Sequence, residues 1–186
     1  MLLSMCIPAL FFHFLHCGIL LLEGDCMRYR CTLLAVRDME RSKRFYHDVL
    51  GLDVVEDLGA NVTLTGGIAL QTDTSWAEFL HLPAFRLIFG GNDAELYLET
   101  SDIEGFCRKL SDMDQILYVH PLQEHAWGQR VIRIYDPDRH IIEVGEQIGA
   151  VAQRFLDQGM TLSEVAARMD SPEEAVRSWL GENQTT

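Results

Sequence analysis

The sequence predicts an α+β fold in which the element order β-α-β-β-β occurs twice and is followed by a helical extension. Short apolar runs typical of strands alternate with single helical patterns along the middle of the chain. The two predicted helix starts, Asp38 and Asp102, each lie seven residues after equivalent positions in the preceding strands, Cys31 and Glu95. A repeat of about 50 residues that cannot close its own sheet must pair with its copy.

These features divide the chain into three parts: an apolar segment at 1–26, a domain at 27–147 with modules at 28–72 and 94–146, and a helical tail at 148–186. The first 26 residues contain no Lys or Arg and approach the ~20 apolar residues that span a bilayer. Three interpretations stay open: translation starts at Met27, the segment is an anchor that leaves the domain in the cytoplasm, or it is a signal peptide. Membrane association is expected only for an anchor.

Composition and charge exclude several classes of protein. The 186 residues are 48% apolar and 23% charged, which is typical of a globular chain and not of a disordered one. The formal net charge of −13 disfavours nucleic acid as a partner, because phosphate backbones are repelled. The five cysteines are odd in number and scattered, which predicts a reducing, cytoplasmic environment without a disulfide framework.

The first module begins with an apolar strand at 29–36. A helix then starts at Asp38 and ends at Gly51, a typical C-terminal cap. Helical spacing places four residues on its inner face: Phe45, Tyr46, Val49 and Leu50. Three short strands follow, at 52–57, 60–65 and 67–72. Between the last two, Gly66-Gly67 predicts a hairpin turn.

The second module repeats this order after a connector at 73–93, for which we expect one or two helical turns and then a strand at 85–89. The module starts with a strand at 95–100 and a helix from Asp102. Its remaining strands are predicted at 116–120, 130–135 and 140–144. Asp136-Pro137-Asp138-Arg139 predicts a turn, because Pro fixes φ and Asp bonds its own backbone.

The tail predicts two or three short helices. Thr161 to Glu164 has capping-box form, and so has Ser171 to Glu174 with Pro172 at the first helical position. The pattern has a superficial helix-turn-helix look, but Glu173 and Glu174 would repel DNA. We expect these helices to pack on the domain or on a dimer partner.

Two stretches together resemble a known superfamily. DMERSKRFYHDVLGLDVV and WGQRVIRIYDPDRHIIEV resemble the opening and the close of vicinal-oxygen-chelate modules, as in glyoxalase I, bleomycin-resistance and fosfomycin-resistance proteins and extradiol dioxygenases. Arg139 stands where the turn usually has Gly. The resemblance covers about residues 28–147 and implies two modules curled as a mixed sheet around a cleft. It also implies a divalent metal, a small-molecule substrate and a homodimer.

The resemblance places the metal ligands on the first and last strands of the modules. It implies Glu143 and Glu95 in the second module and Gln71 in the first, with Cys31 as a weaker candidate. A carboxylate inside the apolar strand at 140–144 is consistent with this, because a buried lone charge is very costly. Two carboxylates and an amide favour Mn²⁺, Ni²⁺, Mg²⁺ or Fe²⁺ over Zn²⁺ in a structural site.

Each ligand has an ordinary structural alternative. Glu143 could pair with Arg130 or Arg133, and Glu95 could face solvent at a sheet edge. A register slip of one residue would turn Gln71 outward. Cys31 could be a small core residue.

The loop at 120–128 carries further candidates. His125 and His120 are candidates for a base or for substrate contacts, and Trp127 and Arg130 for substrate binding. Exposed histidines, a packed aromatic and an ion pair are the structural alternatives. The assignment from sequence is therefore Glu143 and His125 as catalytic residues, with His120, Trp127 and Arg130 contacting the substrate.

Two functions of different class follow from these residues. The first is a divalent-metal-dependent lyase, isomerase or transferase that acts on a small oxygenated molecule, with the metal as Lewis acid. The second is a ligand-sequestering protein of the bleomycin-resistance type, without catalysis. A regulatory ligand sensor that uses the tail is a third interpretation.

Overall fold

The computed structural model describes residues 27–181. The three interpretations of residues 1–26 lie outside the described residues. Within 27–181, no helix combines the length and the apolar character that crossing a bilayer requires. The described chain divides into two compact units, one formed by 28–125 with 130–147 and the other by 126–129 with 148–181.

The first module contains, in chain order, β1 (Thr32–Val36), α1 (Met39–Leu50), β2 (Val54–Asp57), β3 (Asn61–Leu64) and β4 (Ile68–Thr72). Its sheet has the strand order β1-β4-β3-β2, with β1 parallel to β4 and the other neighbours antiparallel. A short 3-10 turn at Thr65–Gly67 joins β3 to β4, where Gly66-Gly67 predicts a turn.

The second module contains β5 (Glu95–Thr100), α3 (Ile103–Ser111), β6 (Leu117–Glu124), β7 (Arg130–Tyr135) and β8 (Ile141–Glu146), after α2 (Asp73–Phe79) in the connector. Its sheet has the equivalent order β5-β8-β7-β6, again with one parallel pair, β5 with β8. The predicted α+β class with paired modules and C-terminal helices is confirmed. The described strands form two four-stranded sheets that do not close into one barrel.

Both module helices begin at the aspartates that the sequence predicts. Asp38 accepts a hydrogen bond from the Arg41 backbone N–H, and Asp102 accepts one from Gly105. Gly51 ends α1 in the left-handed region, with φ 69°. The predicted start and end of α1 are therefore confirmed.

A hydrophobic core lies between the helices and sheets of both modules. Its fully buried members include Val36, Tyr46, Leu110, Ile134 and Ile142. Neighbouring side chains on a strand point to opposite faces, so Arg133 and Glu143 lie on the face that turns away from this core. The sheet of the second module thus has one apolar face and one face available for polar chemistry.

The turn between β7 and β8 holds α1 through buried carboxylates. Asp136 accepts a hydrogen bond from the Tyr46 hydroxyl at 3.0 Å. Burial, together with this carboxylate, raises the pKa of Tyr46 well above its usual value. Asp138 is fully buried and pairs with Arg37 at 3.5 Å and with Arg41 at 3.2 Å. These contacts attach the helix of the first module to a turn of the second.

The connector and β6 differ from their predictions. The strand predicted at 85–89 is wrong, because a 3-10 turn at Ala84–Arg86 occupies that place and no strand runs through it. Pro83, which lacks a backbone N–H, accepts at its carbonyl the hydrogen bond that closes this turn. β6 extends beyond the predicted 116–120 to Glu124, with register shifts on both sides of His120.

The tail unit contains α4 (Ile148–Asp157), α5 (Leu162–Arg168) and α6 (Glu173–Trp179) around a core of its own. The Thr161–Glu164 capping box is confirmed, since both of its hydrogen bonds form. The second predicted box is wrong: Pro172 is itself the N-cap of α6, and the Ser171 hydroxyl donates to the Met169 carbonyl instead.

The buried Asp138 supports a first prediction. We expect Asp138→Ala to lower the free energy of unfolding by about 2–4 kcal/mol, because buried donors lose their acceptor. Urea-induced unfolding measures the change. Asp48→Ala, at an exposed position of α1, is the control and should change the free energy of unfolding by less than about 0.5 kcal/mol. Equal effects of the two variants would contradict the role given to Asp138.

Arg139 supports a second prediction, because it adopts φ 74° in the left-handed region that favours glycine. Arg139→Gly relieves this strain, whereas Arg139→Ala keeps it and equally removes the side chain. We expect the Gly variant to be more stable than the Ala variant by about 0.5–1 kcal/mol, after the entropy of Gly in the unfolded chain is allowed for. Thermal unfolding of the pair measures this difference, and a more stable Ala variant would refute it.

Candidate functional site

One row of residues crosses the second sheet on the face that turns away from the core. Strand register pairs Tyr97 with Glu143, Glu143 with Arg133, and Arg133 with His120, so the row runs over all four strands. Glu95 lies two residues before Tyr97 on β5 and therefore shares this face. All four strands of the second sheet therefore contribute to the same polar strip, β5 with two side chains and each of the others with one.

Arg133 is the centre of this strip. Its Nε atom donates to Glu95 Oε2 at 2.9 Å, and its Nη2 atom contacts the Glu143 carboxylate as an ion pair. Its Nη1 atom lies 3.1 Å from His120 Nε2. A single guanidinium group thus reaches two carboxylates and one imidazole. We call these four residues the Arg133 cluster.

The hydrogen bonds of His120 define its tautomer. Its Nδ1 atom lies 2.8 Å from the Pro121 carbonyl oxygen, which can only accept, so Nδ1 carries the proton. Nε2 is then free to accept from Arg133. The register shifts on both sides of His120 are bulges of the kind that redirect a side chain on an edge strand. They bring this imidazole to the guanidinium.

Glu143 is the buried member of the cluster. The residue is only 5% exposed, and its Oε2 atom has no hydrogen bond of ordinary geometry although it touches the Arg133 guanidinium. The charge of Arg133 is therefore what compensates the buried carboxylate. Of the two arginines that the sequence offers to Glu143, the structure selects Arg133.

His125 lies in the electrostatic range of the same cluster. Burial lowers the pKa of His125 below its usual 6.5, and the positive charge of Arg133 acts in the same direction. Glu95 acts in the opposite direction, and its effect is smaller. The lowered pKa of His125 favours the neutral imidazole, the form that can accept a proton.

A cavity of about 430 Å³ adjoins the cluster and shares Glu95 with it. Its wall combines Tyr29, Leu52 and Ile68 of the first module with Glu95, Tyr97 and Glu99 of β5. The Tyr97 hydroxyl donates to Glu99 at 2.8 Å. Both modules contribute apolar atoms to the wall, and the two carboxylates in it, Glu95 and Glu99, come from the second module.

The remaining ligand candidates have other contacts. Gln71 is buried on β4, and its amide donates to the Ser75 hydroxyl at 3.1 Å. Cys31 is a half-buried free thiol just before β1. Within residues 27–181, no three His, Cys, Asp or Glu side chains are grouped as metal ligands. As arranged, the predicted donors do not fit a metal, because Arg133 fills the space between the two carboxylates.

Two predicted substrate contacts lie elsewhere. Arg130 pairs with Glu146 at 2.9 Å and with Glu104 of α3, and the hydrogen bond to Glu146 raises the pKa of Arg130. Trp127 belongs to the tail unit, where its indole N–H donates to Gln129 at 3.3 Å. The structure brings together His120, His125, Glu95 and Glu143, whereas Arg130 is engaged by Glu146 and Glu104.

Comparison with known proteins agrees with the architecture. A family model described as a glyoxalase-like domain matches residues 29–149. A crystal structure of a protein of unknown function from Agrobacterium tumefaciens is 37% identical, with a TM-score of 0.58, over 68% of this chain and 98% of that one. No curated protein matches the chain significantly.

More distant structures support the fold alone. A glyoxalase/bleomycin resistance protein/dioxygenase family enzyme from Burkholderia phytofirmans is 15% identical, with a TM-score of 0.57, over 64% of this chain and 98% of that one. A glyoxalase-related enzyme from Fulvimarina pelagi is 17% identical, with a TM-score of 0.53, over 62% and 86%. The chain therefore belongs to the glyoxalase-like domain family, within the vicinal-oxygen-chelate superfamily.

Proposed function

We propose that this chain binds a small molecule in the cavity beside β5 and does so without a divalent metal, as a ligand-sequestering protein. One observation carries the proposal: the Arg133 guanidinium lies between Glu95 and Glu143, the two carboxylates expected to hold the metal. A divalent ion at that place would meet a like charge a few ångströms away. At 4 Å, even an effective dielectric constant of 20 leaves about 4 kcal/mol of repulsion per pair of unit charges.

The cavity supports binding of a compound of modest size. Its volume of about 430 Å³ lies in the range of small-molecule sites, ~300–1,000 Å³. Leu52 and Ile68 offer apolar contact, while Glu95 and Glu99 offer acceptors and negative charge. The net charge of −13 raises the local concentration of cations around the protein. We therefore expect a ligand with an apolar body and a positively charged or hydrogen-bond-donating group.

A metal-dependent lyase, isomerase or transferase is the second candidate. It is favoured by the convergence of Glu95 and Glu143, from two different strands, on one position. In this alternative Gln71 completes the ligands, His125 is the base with Glu143 as the second catalytic residue, and Arg133 has to leave its place. His120 contacts the substrate, with Trp127 and Arg130 retained as weaker candidates.

A homodimer in the cytoplasm is part of the proposal. Exposed apolar side chains on the edge strands β2 and β6, among them Val55 and Tyr118, support association with a second copy. Cys31 and Cys107 are free thiols, which supports a reducing compartment. The negative charge makes nucleic acid an improbable partner.

The two candidates are distinguished by metal content and ligand binding. For protein purified without chelator, we expect far less than one equivalent of any divalent metal by mass spectrometry. A thermal-shift screen should select cationic over anionic compounds, with no effect of EDTA. Glu99→Gln should weaken the selected compound about tenfold, because a charged hydrogen bond becomes neutral. Glu56→Gln, on the exposed strand β2, is the matched control and should leave it unchanged.

The opposite outcome is equally specific. Stoichiometric metal in the wild-type protein, together with chelator-reversible turnover of a hemithioacetal, would refute sequestration and support the lyase.

His125 supports a separate prediction on pH. We expect its imidazole to titrate below 6.5 in NMR spectra recorded with EDTA, and Arg133→Met to raise the midpoint only in part, because burial is the larger cause. The unfolded chain then binds this proton more readily, so His125 disfavours folding as the pH falls below about 6.5. A wild-type midpoint at or above 6.5 would contradict the burial of His125, and an unchanged midpoint in Arg133→Met would contradict its proximity to Arg133.

A further inference from the structure

We propose that Arg133 is the resident cation of a latent metal site and that its guanidinium keeps a divalent ion away from Glu95, Glu143 and His120. This inference rests on the proposed metal-free function and adds the residues responsible for it. It predicts that removal of one positive side chain gives the protein a metal affinity that the wild type lacks.

The cluster is arranged as ligands are around a metal ion, with the Arg133 guanidinium at its centre. Three acceptors from β5, β8 and β6 converge on one guanidinium from β7. The Nε atom of Arg133 lies 2.9 Å from Glu95 Oε2, and its Nη1 atom lies 3.1 Å from His120 Nε2. Its Nη2 atom contacts the Glu143 carboxylate. Glu143 on β8 and His120 on β6 are the register partners of Arg133 on its two neighbouring strands. The three acceptors approach the guanidinium through three different nitrogen atoms.

The burial of Glu143 points independently to a cation. Its Oε2 atom is buried and has no hydrogen bond of ordinary geometry, so the adjacent positive charge is its compensation. Loss of one partner from a buried pair leaves an uncompensated charge, which is strongly destabilising. A variant without Arg133 therefore gains stability from any cation that reaches this oxygen.

The donors are suitable for a transition metal once the guanidinium is gone. Two carboxylates and the unprotonated Nε2 of His120 are ligand types that Mn²⁺, Ni²⁺ and Zn²⁺ accept. Metal–ligand bonds of about 2.1 Å are shorter than the present contacts, so the donors have to move inward. The Glu95 side chain is 37% exposed and has room to move, and His120 lies on the edge strand β6, which has one neighbouring strand.

Arg133→Met tests the inference, because Met has a similar reach and no charge. We expect calorimetry with MnCl₂ and NiCl₂ to show about one bound ion in this variant and at least tenfold weaker binding in the wild type, a difference of ~1.4 kcal/mol or more. The same ions should raise the Tm of the variant and not that of the wild type.

Three variants serve as controls. Arg133→Lys keeps the positive charge and should bind no metal. Arg133→Met with Glu143→Gln, and Arg133→Met with His120→Ala, each remove one donor and should lose the affinity gained. If Arg133→Met does not fold even with metal, Arg133→Gln, whose amide can still bond a carboxylate, is measured instead with the same expectation.

The outcomes separate this inference from the proposed function. Metal bound by neither the wild type nor the Met and Gln variants would overturn the latent site and leave metal-free binding in place. Metal bound equally by the Lys and Met variants would overturn the role of the charge. A stoichiometric metal in the wild type, lost in Glu143→Gln, would overturn both proposals.

Discussion

The buried turn between β7 and β8 is the constraint on which the site depends. Its carboxylates at Asp136 and Asp138 are held by groups of α1, so the turn can neither slide nor open without exposing them. A fixed turn fixes the register of the hairpin, which places Arg133 directly opposite Glu143. A shift by one residue would send both charges into the hydrophobic core. The same interaction thus joins the two modules and aligns the ion pair.

Because side chains alternate along a strand, this register leaves one face of the sheet apolar and the other polar. Ile132 and Ile134 pack in the core, while Arg133 between them faces the opposite side. The cavity at Glu95 opens beside this polar face. The charge of the polar face, the burial of Glu143 and the position of the site beside the cavity therefore all follow from one hairpin register.

Much of this arrangement is accessible from the sequence. The elements of both modules follow from apolar periodicity and from the caps at Asp38 and Asp102. Counting outward from the predicted turn at 136–139 would pair Arg133 with Ile142, one residue away from its observed partner Glu143, because Asp136 and His140 already face each other and only 137–139 lie in the loop. His120 could not be placed in this way, because its contact depends on bulges that have no local sequence pattern. The connector could not be predicted either. Its apolar residues at 85–89 suggest a strand, but a 3-10 turn that follows Pro83 occupies that place.

A guanidinium in the place of a metal changes what the site can do. A divalent ion has open positions for two substrate oxygens and stabilises developing negative charge as a Lewis acid. Arg133 carries half that charge, and most of its five N–H donors are engaged by Glu95, Glu143 and His120. A guanidinium can hydrogen-bond a substrate oxygen but cannot form a coordination bond to it. In the proposed function, such a cation neutralises the buried Glu143 carboxylate and positions Glu95 in the wall of the cavity without a metal, which suits capture of a ligand better than its chemical conversion.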